Sequence, residues 1–160
     1  MKLFSTFISI VLIFAGCSAT KSTASSENTS NPSLSDSSII ISFEQTACYG
    51  TCPVHKMVIL NNGKATYFGD RHVTNLGYFS ANLTPQQIQD IYSKAKQLEF
   101  FKLASVYTAA MTDFPTSKLT IITPTQNHSV IAYGEYPENL SQFIRYLYTT
   151  SQNIDWKKVK

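Results

Sequence analysis

A tight turn between two apolar segments constrains the fold of this chain more than any other feature of its sequence. VHKMVIL (residues 54–60) and KATYFGD (residues 64–70) flank Asn61-Asn62-Gly63. Asn and Gly tolerate the positive φ that tight hairpin turns require. Strands joined by so short a turn pair antiparallel, so the sequence predicts a β-hairpin here.

Further strands are indicated by β-branched and aromatic residues on both sides of this hairpin. IIISFEQTA (residues 39–47) precedes it, and alternating residues near 76–83 follow it. SKLTIIT (residues 117–123) and SVIAY (residues 129–133) flank Pro124-Thr125-Gln126-Asn127, which predicts a second hairpin.

Two helices are predicted by caps and by helical periodicity. Thr84 suits the N-cap, Pro85 suits the first helical position and Gln87 completes a capping box. The first helix should therefore run to about Gln97, with an apolar stripe of Ile88, Ile91, Tyr92, Ala95 and Leu98. Pro137 opens the second helix. The apolar stripe of that helix consists of Leu140, Phe143, Ile144 and Leu147.

The predicted element order is ββββ-α-ββ-α, which indicates an α+β fold. We expect a single domain over residues 39–160, long enough to bury one core. It should contain a mainly antiparallel sheet of about six strands, with both helices packed on one face.

The N-terminus has the features of a bacterial lipoprotein signal peptide. Lys2 supplies a positive charge, and residues 3–14 form an apolar run too short to span a bilayer with ease. Ala15-Gly16-Cys17 then resembles a lipobox. We expect residues 1–16 to be removed and Cys17 to be lipidated, which would anchor an exported protein to a membrane of the cell envelope, on the periplasmic side or at the outer membrane. An ordinary secretory signal or an uncleaved anchor would also export the domain.

Residues 17–38 should form a disordered tether that begins with the lipidated cysteine. The segment is rich in Ser and Thr and has almost no apolar side chain, so it cannot bury enough surface to fold. The net charge of the chain is only +3, and its one basic cluster, Lys157-Lys158-Val159-Lys160, is typical of a frayed end. We therefore expect contact with a membrane through the Cys17 lipid and no nucleic-acid partner.

Cys48 and Cys52 lie four positions apart in the connection between two predicted strands. A disulfide requires Cα atoms about 4.4–6.8 Å apart, and Gly50 makes the necessary reversal of the chain easy. An exported compartment favours oxidation. We expect a structural Cys48–Cys52 disulfide, which would fix one turn and the register of the strands beside it.

Two other interpretations of the cysteine pair stay open. A redox pair needs a thiolate that is stabilised, commonly by a helix N-terminus, whereas the residues after Cys52 are predicted to form a strand. A copper site could use Cys48, Cys52, His55 and Met57, which are soft or borderline ligands. The spacing of these four residues nearly resembles the copper loop of cytochrome oxidase subunit II, but the His and Met positions are each displaced by one.

The chain lacks the common catalytic motifs GxSxG, P-loop, GxGxxG and HExxH. Asp113, in TDFPTS, could act as an acid or base, but an Asp in this context is typical of a turn. His72 and His128 stand alone in polar turns and are predicted to lie at the surface. We expect no catalytic residue, no cofactor and no required metal, and hence no enzyme.

A longer pattern resembles a known bacterial family, catalogued as domain of unknown function 6438. The segment from Ile40 to Gly69 resembles the opening of that family. The matching positions are Cys48, Tyr49, Gly50, Cys52 and Pro53 in the turn, Gly63 and Tyr67 in the hairpin, and Thr112, Asp113, Pro115 and Thr116 in a later segment. The approach from Gly134 to Pro137 is also similar. The family usually has tyrosine at the position of His55, which argues against His55 as a required metal ligand.

The resemblance implies an exported, lipoprotein-like domain and supplies no activity. It makes Tyr49, Gly50, Pro53 and Asp113 candidates for a functional turn. The favoured function is a non-enzymatic binding or structural domain of the cell envelope that contacts an unidentified protein or small molecule. The alternative is a thiol-redox or copper protein that acts through Cys48 and Cys52.

Overall fold

The computed structural model describes residues 36–110 and 113–160. The predicted signal peptide, Cys17 and the tether as far as residue 35 lie outside the described residues, as do Met111 and Thr112. The last residues of the predicted tether contact the domain: the Asn62 and Asn61 amides donate to the carbonyls of Asp36 and Ser38.

The helices and strands follow the predicted order, with two short strands added. In chain order they are β1 (Ile39–Gln45), β2 (Val54–Leu60), β3 (Lys64–Arg71), β4 (Gly77–Asn82), α1 (Pro85–Gln97), a 3₁₀ turn (Phe100–Lys102), β5 (Val106–Tyr107), β6 (Thr116–Ile122), β7 (Asn127–Tyr133), α2 (Glu138–Asn153) and β8 (Lys157–Lys158).

The strands form one eight-stranded sheet in the order β5-β7-β6-β1-β2-β3-β4-β8. Every neighbouring pair is antiparallel except β5 and β7, which are parallel, so the sheet is mixed. The prediction of a mainly antiparallel sheet of about six strands was wrong in the number of strands, and it did not anticipate the parallel pair of β5 and β7 that makes the sheet mixed. β5 and β8 have two residues each, too few to show the alternation by which a strand is predicted.

The first hairpin turn forms as its residues predict. Gly63 has a φ of 82°, and its amide donates to the Leu60 carbonyl at 2.9 Å. The helix that follows β4 starts with the predicted capping box: the Thr84 side chain accepts from the Gln87 amide, and the Gln87 side chain accepts from the Thr84 amide. Both connections therefore satisfy backbone groups that would otherwise lack partners.

One face of the sheet is buried beneath the two helices. The register places Phe43 opposite Met57 on one side and Leu119 on the other, and all three side chains are buried. From α2, the predicted stripe of Leu140, Phe143, Ile144 and Leu147 packs into the same core and is buried. α1 adds Ile91 and Ala95. The α+β architecture with helices on one face is confirmed.

Within the described ranges, no helix is both long enough and apolar enough to cross a membrane.

Candidate functional site

One end of the sheet collects most of the residues that the sequence singles out. β1, β3 and β7 end there, while β2, β4 and β6 begin there, as their antiparallel pairings require. The connections at this end are residues 46–53, 72–76, 134–137 and the described part of 108–115. We call it the loop end.

Two of these connections are fastened together. The Thr46 amide donates to the Thr116 carbonyl, and the Thr116 amide donates to Thr46 Oγ1, each at 3.0 Å. The cysteine turn leaves β1 at Thr46, and Asp113 and Pro115 lead into β6 at Thr116. The structure therefore places the two predicted motifs side by side. Asp113 itself is exposed.

The cysteine turn is closed by a disulfide. Cys48 and Cys52 are bonded, with Cα atoms 5.7 Å apart, so the predicted pairing is confirmed. The Gly50 amide donates to Cys48 Sγ at 3.3 Å. Tyr49 is 92% exposed, the highest fraction among the exposed large apolar side chains of the described residues. The turn thus presents a bulky ring to solvent from a short, covalently closed loop, with Pro53 half-buried at its base.

A buried polar group lies directly beneath this turn. His55 is 2% exposed, and its Nε2 donates to Gln45 Oε1 at 3.0 Å. Gln45 Nε2 in turn donates to Ser117 Oγ at 3.2 Å. These three side chains lie on neighbouring strands β2, β1 and β6, so the chain of hydrogen bonds crosses the sheet at the loop end.

Aromatic rings enclose His55. Its ring centroid lies 5.0 Å from that of Phe43, 5.6 Å from that of Tyr67 and 5.4 Å from that of Tyr148. Nδ1 is buried and has no hydrogen-bond partner among the described residues. Burial lowers the pKa of His55 to about 4, because a charged imidazolium would be poorly solvated there. His55 is therefore neutral near neutral pH.

The structure does not assemble the proposed copper ligands. The sulfur atoms of Cys48 and Cys52 are bonded to each other, so neither offers a thiolate in this state. His55 and Met57 are buried on the core face of β2. Within the described part of the chain, no group of three or more His, Cys, Asp or Glu residues is placed to hold a metal ion.

Two glycines allow the loop end to pack closely. A Cβ at Gly69 would overlap the carbonyl oxygen of Asn75, so the β3–β4 loop can fold against β3 only because residue 69 lacks a side chain. Gly134 has a φ of 79°, and a Cβ there would overlap that of Ala109. Gly134 therefore brings the end of β7 against the chain that follows β5.

The opposite face of the sheet is not covered by either helix. One row of side chains crosses seven strands in register: Val106, Ile131, Lys118, Glu44, Lys56, Phe68 and Tyr78. At its centre Glu44 pairs with Lys118 at 3.1 Å and with Lys56 at 3.5 Å. Burial alone would raise the pKa of Glu44, but these two lysines lower it. We call this the open face.

Three clefts among the described residues lie away from the cysteine turn. One of about 720 Å³ lies between α1 and the β6–β7 turn and includes Tyr92, Lys96 and Thr125 in its lining. Two others, of about 600 and 320 Å³, are lined in part by Lys64 and by Gly63. None of these three clefts is lined by a residue of the cysteine turn.

The turn from Cys48 to Pro53, the segment from Asp113 to Thr116, and Gly134 thus meet at one end of the sheet. A family model described as Domain of unknown function (DUF6438) matches residues 39–151. The chain belongs to this family. The matched range begins with β1 and ends within α2, so it includes the whole loop end. No curated protein matches the chain.

Sequence reasoning found the turn but missed what supports it. Gln45 and Ser117 occur in strands as ordinary polar residues, and their pairing with His55 depends on a strand order that the sequence does not reveal. His72 is exposed as predicted, whereas His128 is half-buried against Phe100, so its predicted surface position was wrong. The available signal was that His128 lies two positions before Val130, and therefore on the same, buried face of β7.

Proposed function

We propose that residues 39–160 form a non-enzymatic binding domain of an exported lipoprotein, and that its loop end contacts a partner protein. Tyr49 would be the central anchor of that contact. The chemistry of the loop end favours this function, because the buried His55 is neutral and enclosed by rings rather than open to a substrate.

The observation that carries the proposal is the 92% exposure of Tyr49 on a disulfide-closed turn. Tyrosine is enriched among the residues that dominate protein interfaces, since its ring buries a large area with few rotatable bonds. A ring held on a rigid loop loses little conformational entropy on binding. Such a residue stabilises a complex more than it stabilises the free domain.

Other exposed apolar residues lie at the same end of the sheet. Leu76 is 53% exposed in the β3–β4 connection, and Phe114 is 39% exposed in the approach to β6. Both connections lie at the loop end. A projecting turn at an end of the sheet that also exposes apolar side chains suits a protein surface better than a small molecule, which usually binds in a concave site.

The proposed location rests on the sequence. Ala15-Gly16-Cys17 resembles a lipobox, and the Ser- and Thr-rich segment that follows would hold the domain away from the bilayer. Lipid on Cys17 would thus be the contact with the membrane, which leaves the loop end free to meet a second protein.

A photo-crosslinking amino acid at position 49 tests the proposal. The full chain carrying it would be produced in the cell that makes the protein naturally, then irradiated and analysed for covalent adducts. We expect one discrete adduct, whose partner can be identified by mass spectrometry. Tyr49→Ala should then weaken binding of the purified partner by about 2–4 kcal/mol, as for a residue that dominates an interface.

A matched control uses the same crosslinker at position 78. Tyr78 is 65% exposed and lies on the open face, in β4 rather than in a loop-end connection. The proposal requires the adduct at 49 to be absent at 78 and to weaken when Cys48 and Cys52 are both replaced by serine. Equal adducts at the two positions would contradict the assignment to the loop end, and an adduct at 78 alone would assign binding to the open face instead.

A further inference from the structure

The two sulfur atoms of the cysteine turn are not equivalent. Cys48 Sγ accepts a hydrogen bond from the Gly50 amide at 3.3 Å. No hydrogen-bond donor contacts Cys52 Sγ in the part of the chain that the structure describes. An N–H group directed at a sulfur favours its anionic form, because the donor carries partial positive charge. If the bond opened, the negative charge would be more stable on Cys48.

The disulfide is also placed where it can open without unfolding the domain. Tyr49, Gly50 and Thr51 between the cysteines are exposed, and both cysteines are only half-buried. None of the residues that form the hydrophobic core comes from the turn between β1 and β2. The strands beneath it are held by their own ladders and by the hydrogen bonds between Thr46 and Thr116.

We propose that the Cys48–Cys52 bond is an exchange site for an external dithiol, with Cys52 as the sulfur attacked and Cys48 as the sulfur released. A thiolate of the dithiol attacks Cys52 Sγ and forms a mixed disulfide. The Cys48–Cys52 bond breaks, and its electron pair leaves on Cys48 Sγ, where the Gly50 amide stabilises it. A sulfur that is a better anion is a better leaving group in this reaction.

The second thiol of the dithiol completes the exchange. It attacks its own partner sulfur in the mixed disulfide, so that a disulfide forms within the dithiol and Cys52 leaves as a thiolate. The two cysteines then take up protons. The dithiol is oxidised by two electrons and the turn is reduced by two, and the reverse reaction closes the turn again. This exchange is independent of any partner at Tyr49.

The direction of attack can be measured on the full chain. Cys17→Ser leaves Cys48 and Cys52 as the only cysteines among the three in the sequence. The oxidised protein would be exposed briefly to glutathione, quenched with acid and analysed by fragmentation mass spectrometry. We expect glutathione on Cys52 and a free thiol on Cys48 in most of the mixed disulfide. Glutathione mainly on Cys48, an equal distribution, or no reaction with glutathione or dithiothreitol under native conditions would overturn the proposal.

Single-cysteine variants test the asymmetry separately. With Cys17 replaced as before, Cys52→Ser leaves Cys48 alone and Cys48→Ser leaves Cys52 alone. We expect Cys48 to react with iodoacetamide about threefold faster near neutral pH. That factor is the gain in thiolate from one hydrogen bond, reduced by the lower nucleophilicity of a more stable anion. Equal rates, or a faster Cys52, would contradict the assignment.

Gly50 offers a matched pair of substitutions. Gly50→Ala keeps the amide hydrogen, and its Cβ would make an ordinary contact 3.9 Å from Cys48 Sγ, so the preference for Cys52 should remain. Gly50→Pro removes the amide hydrogen and should make the two sulfurs nearly equal in the glutathione experiment. Circular dichroism establishes that each variant is folded. A preference that survives in folded Gly50→Pro would exclude the amide as its cause, and if that variant does not fold, the single-cysteine rates decide.

Discussion

His55 and Gln45 are partners in the register of β2 and β1, and their side chains share a 3.0 Å hydrogen bond on the buried face. The bond lies beneath the cysteine turn and is extended to β6 through Ser117. It uses Nε2 of His55, while Nδ1 is buried without a partner among the described residues. The sheet therefore contains, at its loop end, a histidine that folds in its neutral form.

The first prediction is that acid destabilises the domain through His55. The pKa of His55 is lowered from 6.5 to about 4 by burial. Between these two values the unfolded chain binds one more proton than the folded chain, so stability falls as pH falls. The stability that depends on neutral His55 is fully present above the pKa of the unfolded chain, 6.5, and is lost as pH falls to the pKa of the folded chain, about 4. It amounts to about 3 kcal/mol at most, from 1.36 kcal/mol for each pKa unit.

Denaturant melts at several pH values measure this effect. His55→Phe should lower stability by a constant amount, because Gln45 loses its partner, but should remove much of the slope between those two pKa values. His72→Asn is the control, since His72 is exposed and Asn tolerates its φ of 57°. It should keep the slope of the wild type. An unchanged slope in His55→Phe would mean that His55 is not the group responsible.

Substitution of Phe143 tests the predicted core of α2. The ring is fully buried and lies 5.0 Å from the ring of Phe100, centroid to centroid. Phe143→Ala should lower the free energy of unfolding by about 3–5 kcal/mol, since it removes a large apolar side chain and leaves a cavity. Tyr78→Ala on the open face should cost less than about 1 kcal/mol. A similarly small loss for Phe143→Ala in denaturant melts would contradict the packing.

The sequence predicted the long elements well because each carried several independent signals. α1 combined an N-cap, a proline, a capping box and an apolar stripe, and the helix has the predicted end at Gln97. β2 spans the predicted residues Val54–Leu60. β5 and β8 carried no such signals. They form because β7 and β4 have unpaired backbone groups with which another segment of the chain can pair. Which strands have such groups depends on the order of the strands in the sheet.

The close packing of the loop end predicts that replacing a glycine there by alanine lowers stability by an amount that depends on the position. Gly134→Ala should lower stability by about 1–3 kcal/mol, since a non-glycine residue at positive φ is strained and the Cβ would also meet Ala109. Gly50→Ala should change stability by less than about 0.5 kcal/mol, because a Cβ there makes only ordinary contacts. Thermal or denaturant melts compare the two. Equal effects would show that the space at Gly134 is not limiting.

The candidate site, like the fold, could be predicted only in part from the sequence. The disulfide of the cysteine turn could be predicted because two cysteines, the glycine between them and the expected export of the chain all favour it. The exposure of Tyr49 and the cross-strand contacts of His55 could not, because both depend on which strands become neighbours. A histidine at one position of an alternating strand has the same sequence signal whether its neighbours are metal ligands or phenyl rings.

Replacement of Cys17 tests the anchor. We expect the wild-type chain to require detergent for extraction from membranes, because lipid on Cys17 would hold it there. Cys17→Ser should instead appear in the soluble exported fraction. Cys48→Ser is the matched control, since it also replaces one cysteine by serine but should still require detergent. Identical fractionation of the wild type and Cys17→Ser would show that Cys17 carries no anchor.

The last prediction concerns the contribution of the disulfide to stability. The closed ring is small, because the cysteines are separated by only four positions. Chain-entropy arguments for so short a loop give about 2 kcal/mol, so replacing both cysteines by serine should cost about 1–3 kcal/mol and leave the fold intact. Wild type melted in the presence of reductant is the matched control and should lose a similar amount. Alkylation of freshly isolated, unreduced protein should find neither Cys48 nor Cys52 reactive, whereas two alkylated thiols at these positions would show that the turn is open in the cell.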